Sequence, residues 1–198
     1  AVFGYDYFNF DVTEAPHGRP PATATGIKRT NPEKFVFTYQ GDGDIAAIGT
    51  AETIHAANRG ENISIVFINN ANYGMTGGQM APTTLIGQKT QPTPFGRDAK
   101  REGYPIKLCE LLANLESVVY LERVAVFNPQ NIIKAKKAIK KSFECQIAGL
   151  GFSMVEVISN CPTDWGMTPI DSIKWTEEVF IKSFPLGVIK DKTADKNK

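Results

Sequence analysis

Two stretches of the chain are apolar at nearly every position. Phe35-Val36-Phe37-Thr38-Tyr39 and Ile63-Ser64-Ile65-Val66-Phe67-Ile68 are rich in β-branched and aromatic residues, which suit the pleated surface of a sheet. The second run shows little alternation, and a strand without alternation belongs to a sheet covered on both faces. Val118 to Val126 and Phe152 to Ser159 continue the pattern, so strands are predicted over 35–40, 63–69, 118–126 and 152–159. Between them the apolar spacing lengthens. Small residues over 19–30 ending before Asn31-Pro32, residues 45–58 with Gly60 just beyond, and Pro105 to Leu115 predict helices. Asn128-Pro129 opens a strongly amphipathic helix to about Gly149. Its apolar stripe is Ile132, Ile133, Ala135, Ile139 and Phe143, and its solvated face is Lys134, Lys136, Lys137, Lys140 and Lys141. A last helix over 170–182 carries Trp175. Strands alternating with helices predict an α/β fold, a parallel sheet with helices on both faces.

Two segments stand outside this alternation. Ala71 to about Gly103 is irregular and holds Gly77-Gly78, Pro82, Pro92, Pro94 and Gly96; a loop of that length inside a compact domain is usually functional. Residues 190–198 are lysine-rich and read as a disordered tail after a single domain over 1–189.

Composition narrows the function classes. The 198 residues suffice for one domain with a core, and 42% hydrophobic with 22% charged residues is ordinary for a globular protein. A formal net charge of +1 points to no nucleic-acid partner. No apolar run reaches the roughly 18–20 residues of a membrane span, and no secretory leader is visible, so no membrane is implied. The chain opens Ala1-Val2-Phe3-Gly4 without Met, as a fragment or processed chain would. Three separated cysteines, Cys109, Cys145 and Cys161, argue against a disulfide scaffold and for a reducing, cytoplasmic setting. Cys109 and Cys145 lie in helical segments and read as buried thiols, and His55 reads as a helix-packing residue. No dinucleotide or P-loop motif is present.

The chemistry concentrates at the ends of the first two strands. Gly41-Asp42-Gly43-Asp44 follows one and Asn69-Asn70-Ala71-Asn72-Tyr73-Gly74 the other. Mg²⁺ takes carboxylate, amide and carbonyl oxygens and shares its remaining positions with phosphates. Glycines flanking Asp42 let the backbone come close to those phosphates. Ligands of parallel α/β sheets bind at the carboxyl ends of strands. Two such turns side by side are what a Mg²⁺-diphosphate needs.

Gly-Asp-Gly followed about 28 residues later by Asn-Asn resembles the thiamine-diphosphate fingerprint. The resemblance implies Mg²⁺ held by Asp42, Asn70 and the main-chain carbonyl of Asn72, with Gly41, Gly43 and Asp44 beside the diphosphate. Tyr73-Gly74-Met75-Thr76-Gly77-Gly78-Gln79 and His17-Gly18-Arg19 are similar to the 2-oxoacid:ferredoxin oxidoreductases, β subunit. In that family the His-Gly-Arg segment lies against the cofactor. His17, Gly18, Arg19, Tyr73, Gly74, Met75 and Thr76 are therefore carried over as cofactor-binding candidates. Arg19 suits a phosphate or a substrate carboxylate, and His17 a hydrogen bond or a proton.

The resemblance covers nearly the whole chain and implies a thiamine-diphosphate-binding domain, of the diphosphate type, in a CoA-dependent oxidative decarboxylase. A 2-oxoacid would become an acyl-CoA and electrons would pass to ferredoxin. Segments 75–84 and 160–169 look most like members acting on branched-chain 2-oxoisovalerate or on 2-oxoglutarate; the branched-chain reading is favoured over 2-oxoglutarate or pyruvate. Catalytic carbon chemistry would belong to the cofactor, and the activating Glu to an α subunit carrying the pyrimidine domain. Small γ and δ ferredoxin-like subunits would complete the assembly. Cys161 matches the last of four cysteines that hold a 4Fe-4S cluster in that family. The other three have no counterpart here, so the resemblance implies an N-terminally incomplete subunit, with the cluster only at full length. One thiolate cannot hold a cubane. A non-catalytic assembly fragment is the rival reading.

Overall fold

The computed structural model describes residues 3–194. Its centre is a five-stranded sheet of β1 (Phe37–Gly41), β2 (Ser64–Asn69), β3 (Val118–Ala125), β4 (Phe152–Ile158) and β5 (Gly187–Asp191), in the spatial order β1-β2-β4-β3-β5. The first four are mutually parallel. The fifth pairs antiparallel with β3, so the sheet is mostly, not wholly, parallel. Along β4 the side chains alternate between two cores, Phe152 and Met154 on one face and Val155 and Val157 on the other. That arrangement explains why the strands read as unbroken apolar runs.

The helices divide between the faces. α1 (Pro20–Thr30), α2 (Thr50–Asn58) and α4 (Leu108–Ala113) cover the face holding Ile63, Ile65, Phe67 and Leu121. α5 (Pro129–Ile147) covers the other with Ala135, Ala138 and Cys145. Asn128 caps α5 by accepting the Asn131 amide at 2.9 Å, followed by proline at the first helical position. Cys109 and Cys145 are buried, as expected. Short helices α3 (Ala99–Glu102), α6 (Pro162–Trp165), α7 (Pro169–Trp175) and α8 (Ile181–Ser183) complete the chain. A third cluster around Ala71, Leu85, Ile158, Phe180 and Phe184 lies beyond the carboxyl ends of the strands.

Four expectations need correcting. The helix predicted from residue 45 begins as a π-helical turn over Asp44–Ile48 before α2, and a second π turn over Thr176–Phe180 joins α7 to α8. Lys190 and Asp191, predicted to open a disordered tail, belong to β5. Lys190 Nζ donates to the Ala113 carbonyl at 2.9 Å, and Lys141 pairs with Asp191. Residues 195–198 of that tail, like Ala1 and Val2, lie outside the described residues. Ile132 and Ile133 sit on the outer side of α5, and His55 on the solvent side of α2. β1 and β5 are the outer strands of the sheet. β5 pairs with the outer side of β3, and Phe8 and Phe10 lie against Phe37 of β1, ring centroids 6.1 and 5.6 Å away.

Candidate functional site

β1 and β2 run side by side in register, Phe37 opposite Ser64 through Gly41 opposite Ile68. Asp42 therefore leaves its strand next to Asn69, and the two halves of the motif meet at one end of the sheet. Asp42 is only 2% exposed. Its Oδ2 accepts the Thr83 hydroxyl at 2.6 Å and its Oδ1 the Gly43 amide at 2.9 Å. Burial pushes this carboxyl up to about 7, against the hydrogen bonds from Thr83 and from the Gly43 and Asn72 amides.

The second turn divides its asparagines by role. Asn69 points into the core, where Nδ2 donates to Glu156 Oε1 at 2.7 Å and Oδ1 accepts the Ala71 amide at 3.1 Å. Ala71 sits in the left-handed region (φ 58°), costly for a residue with a Cβ, and its carbonyl accepts the Thr84 hydroxyl at 2.6 Å. Asn70 turns out of the core, and its carbonyl is held by Trp165 Nε1 at 3.1 Å. Asn72 is 3% exposed; Nδ2 lies 3.8 Å from Cys161 Sγ, while Oδ1 is buried without a partner.

Tyr73 joins the turns by donating to the Gly43 carbonyl at 3.1 Å. A Cβ on Gly43 would stand 2.0 Å from the Tyr73 ring, so the ring itself demands glycine there. Gly43→Ala should displace the ring and cost about 1–3 kcal/mol of stability. By thermal unfolding, Gly43→Ala combined with Tyr73→Ala should cost no more than Tyr73→Ala alone; full additivity would refute this account.

A second cluster surrounds Asp44. Its Oδ1 lies 3.0 Å from His17 Nδ1 and accepts the Gly18 amide at 2.6 Å, and its Oδ2 accepts Gln40 Nε2 at 2.5 Å. The π turn makes this possible. Gly49 donates to the Asp44 carbonyl five residues back, at 2.9 Å, and the segment packs directly on Gly18. At Gly18 (φ 78°) a Cβ would meet the Ile48 carbonyl oxygen at 2.5 Å. Such π insertions recur at functional sites. Arg19 does not join this cluster: its guanidinium pairs with Glu52 at the start of α2. Met75 and Thr76 lie exposed on the following loop, where Thr76 bonds Gln79. A methyl on Gly74 would stand 3.4 Å from Asn70 Nδ2 and 3.7 Å from Cys161 Sγ, so the loop after β4 closes against the Asn70 turn.

The long irregular segment is held from within. Arg97, 5% exposed, donates to the carbonyls of Pro82 (2.9 Å), Thr84 (2.7 Å), Gly103 (2.8 Å), Glu102 (3.2 Å) and Tyr104 (2.9 Å). Thr83, Thr84, Arg97, Glu156 and the bond from Trp165 to Asn70 were not legible in the sequence. The Thr83, Glu156 and Trp165 contacts span 41, 87 and 95 positions, and the one local hint lies in the Thr-Thr pair following Pro82.

Residues 4–157 match the thiamine pyrophosphate enzyme, C-terminal TPP binding domain. The chain belongs to the family of thiamine pyrophosphate enzyme C-terminal TPP binding domains. Its relatives include the ketoisovalerate oxidoreductase subunit VorA of Methanothermobacter thermautotrophicus, 47% identical over 98% of this chain and 41% of that protein. The 2-oxoglutarate synthase subunit KorB of Archaeoglobus fulgidus is 40% identical over 88% of this chain and 61% of that protein. The chain thus spans 41% and 61% of these relatives' lengths, less than two thirds of either. A solved 2-oxoglutarate:ferredoxin oxidoreductase from Magnetococcus marinus shares the fold, with a TM-score of 0.73 at 23% identity over 89% of this chain and 63% of that one.

The donor set of this TPP binding domain suits a hard cation with a diphosphate. Asp42 is a buried carboxylate whose protein partners are neutral donors, and a buried charge of that kind needs a counter-ion or a proton. Asn72 Oδ1 is a buried oxygen lacking a donor. Carboxylate and amide oxygens are what Mg²⁺ selects. An iron–sulfur cluster finds less. Cys161, half-buried, lies 3.2 Å from Asp164 Oδ2, and among the described residues no three His, Cys, Asp or Glu side chains gather to hold a metal. Among the same residues, no helix is long and apolar enough to cross a membrane.

Proposed function

We propose that this chain supplies the diphosphate half of a Mg²⁺-thiamine diphosphate site in a 2-oxoacid:ferredoxin oxidoreductase. Its reaction is CoA-dependent oxidative decarboxylation of 2-oxoisovalerate, with electrons leaving through a 4Fe-4S cluster to ferredoxin. The single observation that carries the reading is Asp42: a carboxylate 2% exposed at the junction of two strand ends, held only by neutral donors. Asp42, Asn70 and the Asn72 carbonyl would hold Mg²⁺. Gly41 and Gly43 would admit the diphosphate, and Gly74, Met75 and Thr76 would border it. Asp44 fixes His17 and Gly18 at the rim. Thiamine diphosphate, when bound, supplies the nucleophilic carbon and the electron sink for decarboxylation. An α subunit with the pyrimidine domain would close the site and provide the activating Glu. Cys161 would be one cluster ligand, the others coming from a longer polypeptide, with small γ and δ subunits carrying further clusters.

The identity to VorA favours the branched-chain acid. KorB proteins match over a larger share of their own length, which makes 2-oxoglutarate the second reading. The test is anaerobic co-expression of the full-length protein with its partner subunits, followed by CoA-dependent viologen reduction across 2-oxoacids. We expect kcat/KM for 2-oxoisovalerate to exceed those for 2-oxoglutarate and pyruvate at least tenfold. Inactivity on every acid, with cofactor and cluster bound, would leave only an assembly role.

A further inference from the structure

We infer that Arg97 is a positioning residue for the candidate metal site, acting through Thr83 and Thr84. This rests on the reading of Asp42 and the Asn70 turn as the Mg²⁺ site. Arg97 is nearly fully buried, and its recorded bonds are to main-chain carbonyls. Two of these, Pro82 and Thr84, flank Thr83, so the guanidinium grips the backbone on either side of one residue. The hydroxyls of that clamped pair reach opposite halves of the motif. Thr83 donates to Asp42 Oδ2 at 2.6 Å, and Thr84 donates at 2.6 Å to the carbonyl of Ala71, the left-handed residue between Asn70 and Asn72. Both threonines are fully buried. The segment is therefore a rigid cross-tie between the two strand ends, and Arg97 fixes its length. The carboxylate and the asparagine turn keep one spacing whether or not a cation is present.

Arginine suits this task. Its planar fork holds several carbonyls at fixed angles, whereas the lysine ammonium is a single point on a flexible stem. Second partners of metal ligands commonly change metal affinity by about 10–100-fold.

The test uses the assembled full-length protein and the variants Arg97→Lys, Thr83→Val and their combination. One readout is the Mg²⁺ concentration for half-maximal thiamine diphosphate binding, followed by intrinsic fluorescence. We expect each single variant to raise it at least tenfold, and the combination to match the worse single variant, because Arg97 works through Thr83. An unchanged Mg²⁺ midpoint in Arg97→Lys, with only a lowered melting temperature, would reduce Arg97 to a fold-stabilising residue. So would strictly multiplicative effects in the combination.

The second readout is hydrogen exchange over residues 81–85 in the cofactor-free protein. It should quicken at least tenfold in Arg97→Lys, and unchanged exchange there overturns the clamp. If wild-type protein binds no Mg²⁺-thiamine diphosphate while exchange still quickens, the metal-site reading fails and the clamp stands. Should Arg97→Lys not fold, Thr83→Val against Thr83→Ser decides: the serine variant keeps the hydroxyl and must keep the Mg²⁺ midpoint, and equal loss in both refutes the tie.

Discussion

Asp42→Asn should abolish tight Mg²⁺-thiamine diphosphate binding and, in the same protein without cofactor, raise thermal stability above neutral pH. The two effects share a cause. The carboxylate is 2% exposed and its described partners are neutral donors. Burial pushes its pKa from an ordinary 3.8 up to about 7. The folded state therefore binds more protons than the unfolded one between these values. The contribution of Asp42 to the stability of the cofactor-free protein is therefore greatest below about pH 4, falls as pH rises through about 7, and levels off above it. At 1.36 kcal/mol per pH unit the fall is roughly 4 kcal/mol. Asparagine keeps an oxygen for the Thr83 hydroxyl but never carries that charge, so this contribution to the fall should vanish in the variant. Differential scanning calorimetry at pH 5 and pH 8 should show the variant gaining several degrees on wild type at the higher pH. Isothermal titration with Mg²⁺ and thiamine diphosphate should show affinity reduced at least 100-fold, the scale of about 3 kcal/mol for leaving a buried charge without its partner. Intact binding by Asp42→Asn would remove Asp42 from the metal site. A stability difference between wild type and Asp42→Asn that does not change with pH would instead refute the buried-charge account.

The second large effect lies behind the site. Arg123 is 1% exposed and joins two acids: its Nε bonds Glu156 at 2.7 Å, and its terminal nitrogens bond Glu110 at 2.8 and 2.5 Å. Glu156 is fully buried, and its other oxygen holds Asn69 at 2.7 Å. Arg123→Met should strand the Glu156 charge in the core and cost about 3–5 kcal/mol, roughly 10 °C for a domain of this size. Glu110 is half-exposed and can return to water. Adding Glu156→Gln should restore at least half the loss, because the amide oxygen keeps the bond from Asn69 while the charge disappears. Chemical denaturation of the three proteins checks this. A single variant within 1 kcal/mol of wild type, or a double variant worse than the single, would show that the network does not bear on stability in this way. Asn69 supports the left-handed Ala71, so Arg123→Met should also weaken Mg²⁺-dependent cofactor binding, though less than Asp42→Asn does.

Much of the fold was legible because its signals are local. Four unbroken apolar runs became four parallel strands, and the amphipathic run after Asn128-Pro129 became α5 with the cap those residues predict. The edge strand β5 was not legible. Its few residues carry no strand-length pattern, and only docking against β3 gives Lys190 and Asp191 their partners. The π turn after Asp44 was hidden for a related reason. Its extra residue answers the close approach of Gly18 to Gly49 and the Ile48 carbonyl, a contact between distant segments.

The candidate site divides the same way. Residue chemistry and strand-end position were enough to bring Gly41-Asp42-Gly43-Asp44 and Asn69-Asn70 to one place, since parallel neighbouring strands deliver their following loops to the same end of a sheet. Residue order alone could not tell that Asn69 turns inward to Glu156 while Asn70 turns out, nor that Arg19 pairs with Glu52. Nor could it reveal that Thr83 reaches Asp42, Trp165 the Asn70 carbonyl, or that Arg97 grips the segment between the halves. Those contacts span 41, 95 and 13 positions of chain. Periodicity and turn chemistry act over a few residues, whereas a buried hydrogen bond is chosen by whatever donor the packed sheet brings within 3 Å. The amino-acid sequence determined the strands, the oxygen donors and the end of the sheet where they gather. Only the tertiary structure decided how those donors are aimed, because aiming requires partners that folding alone makes neighbours.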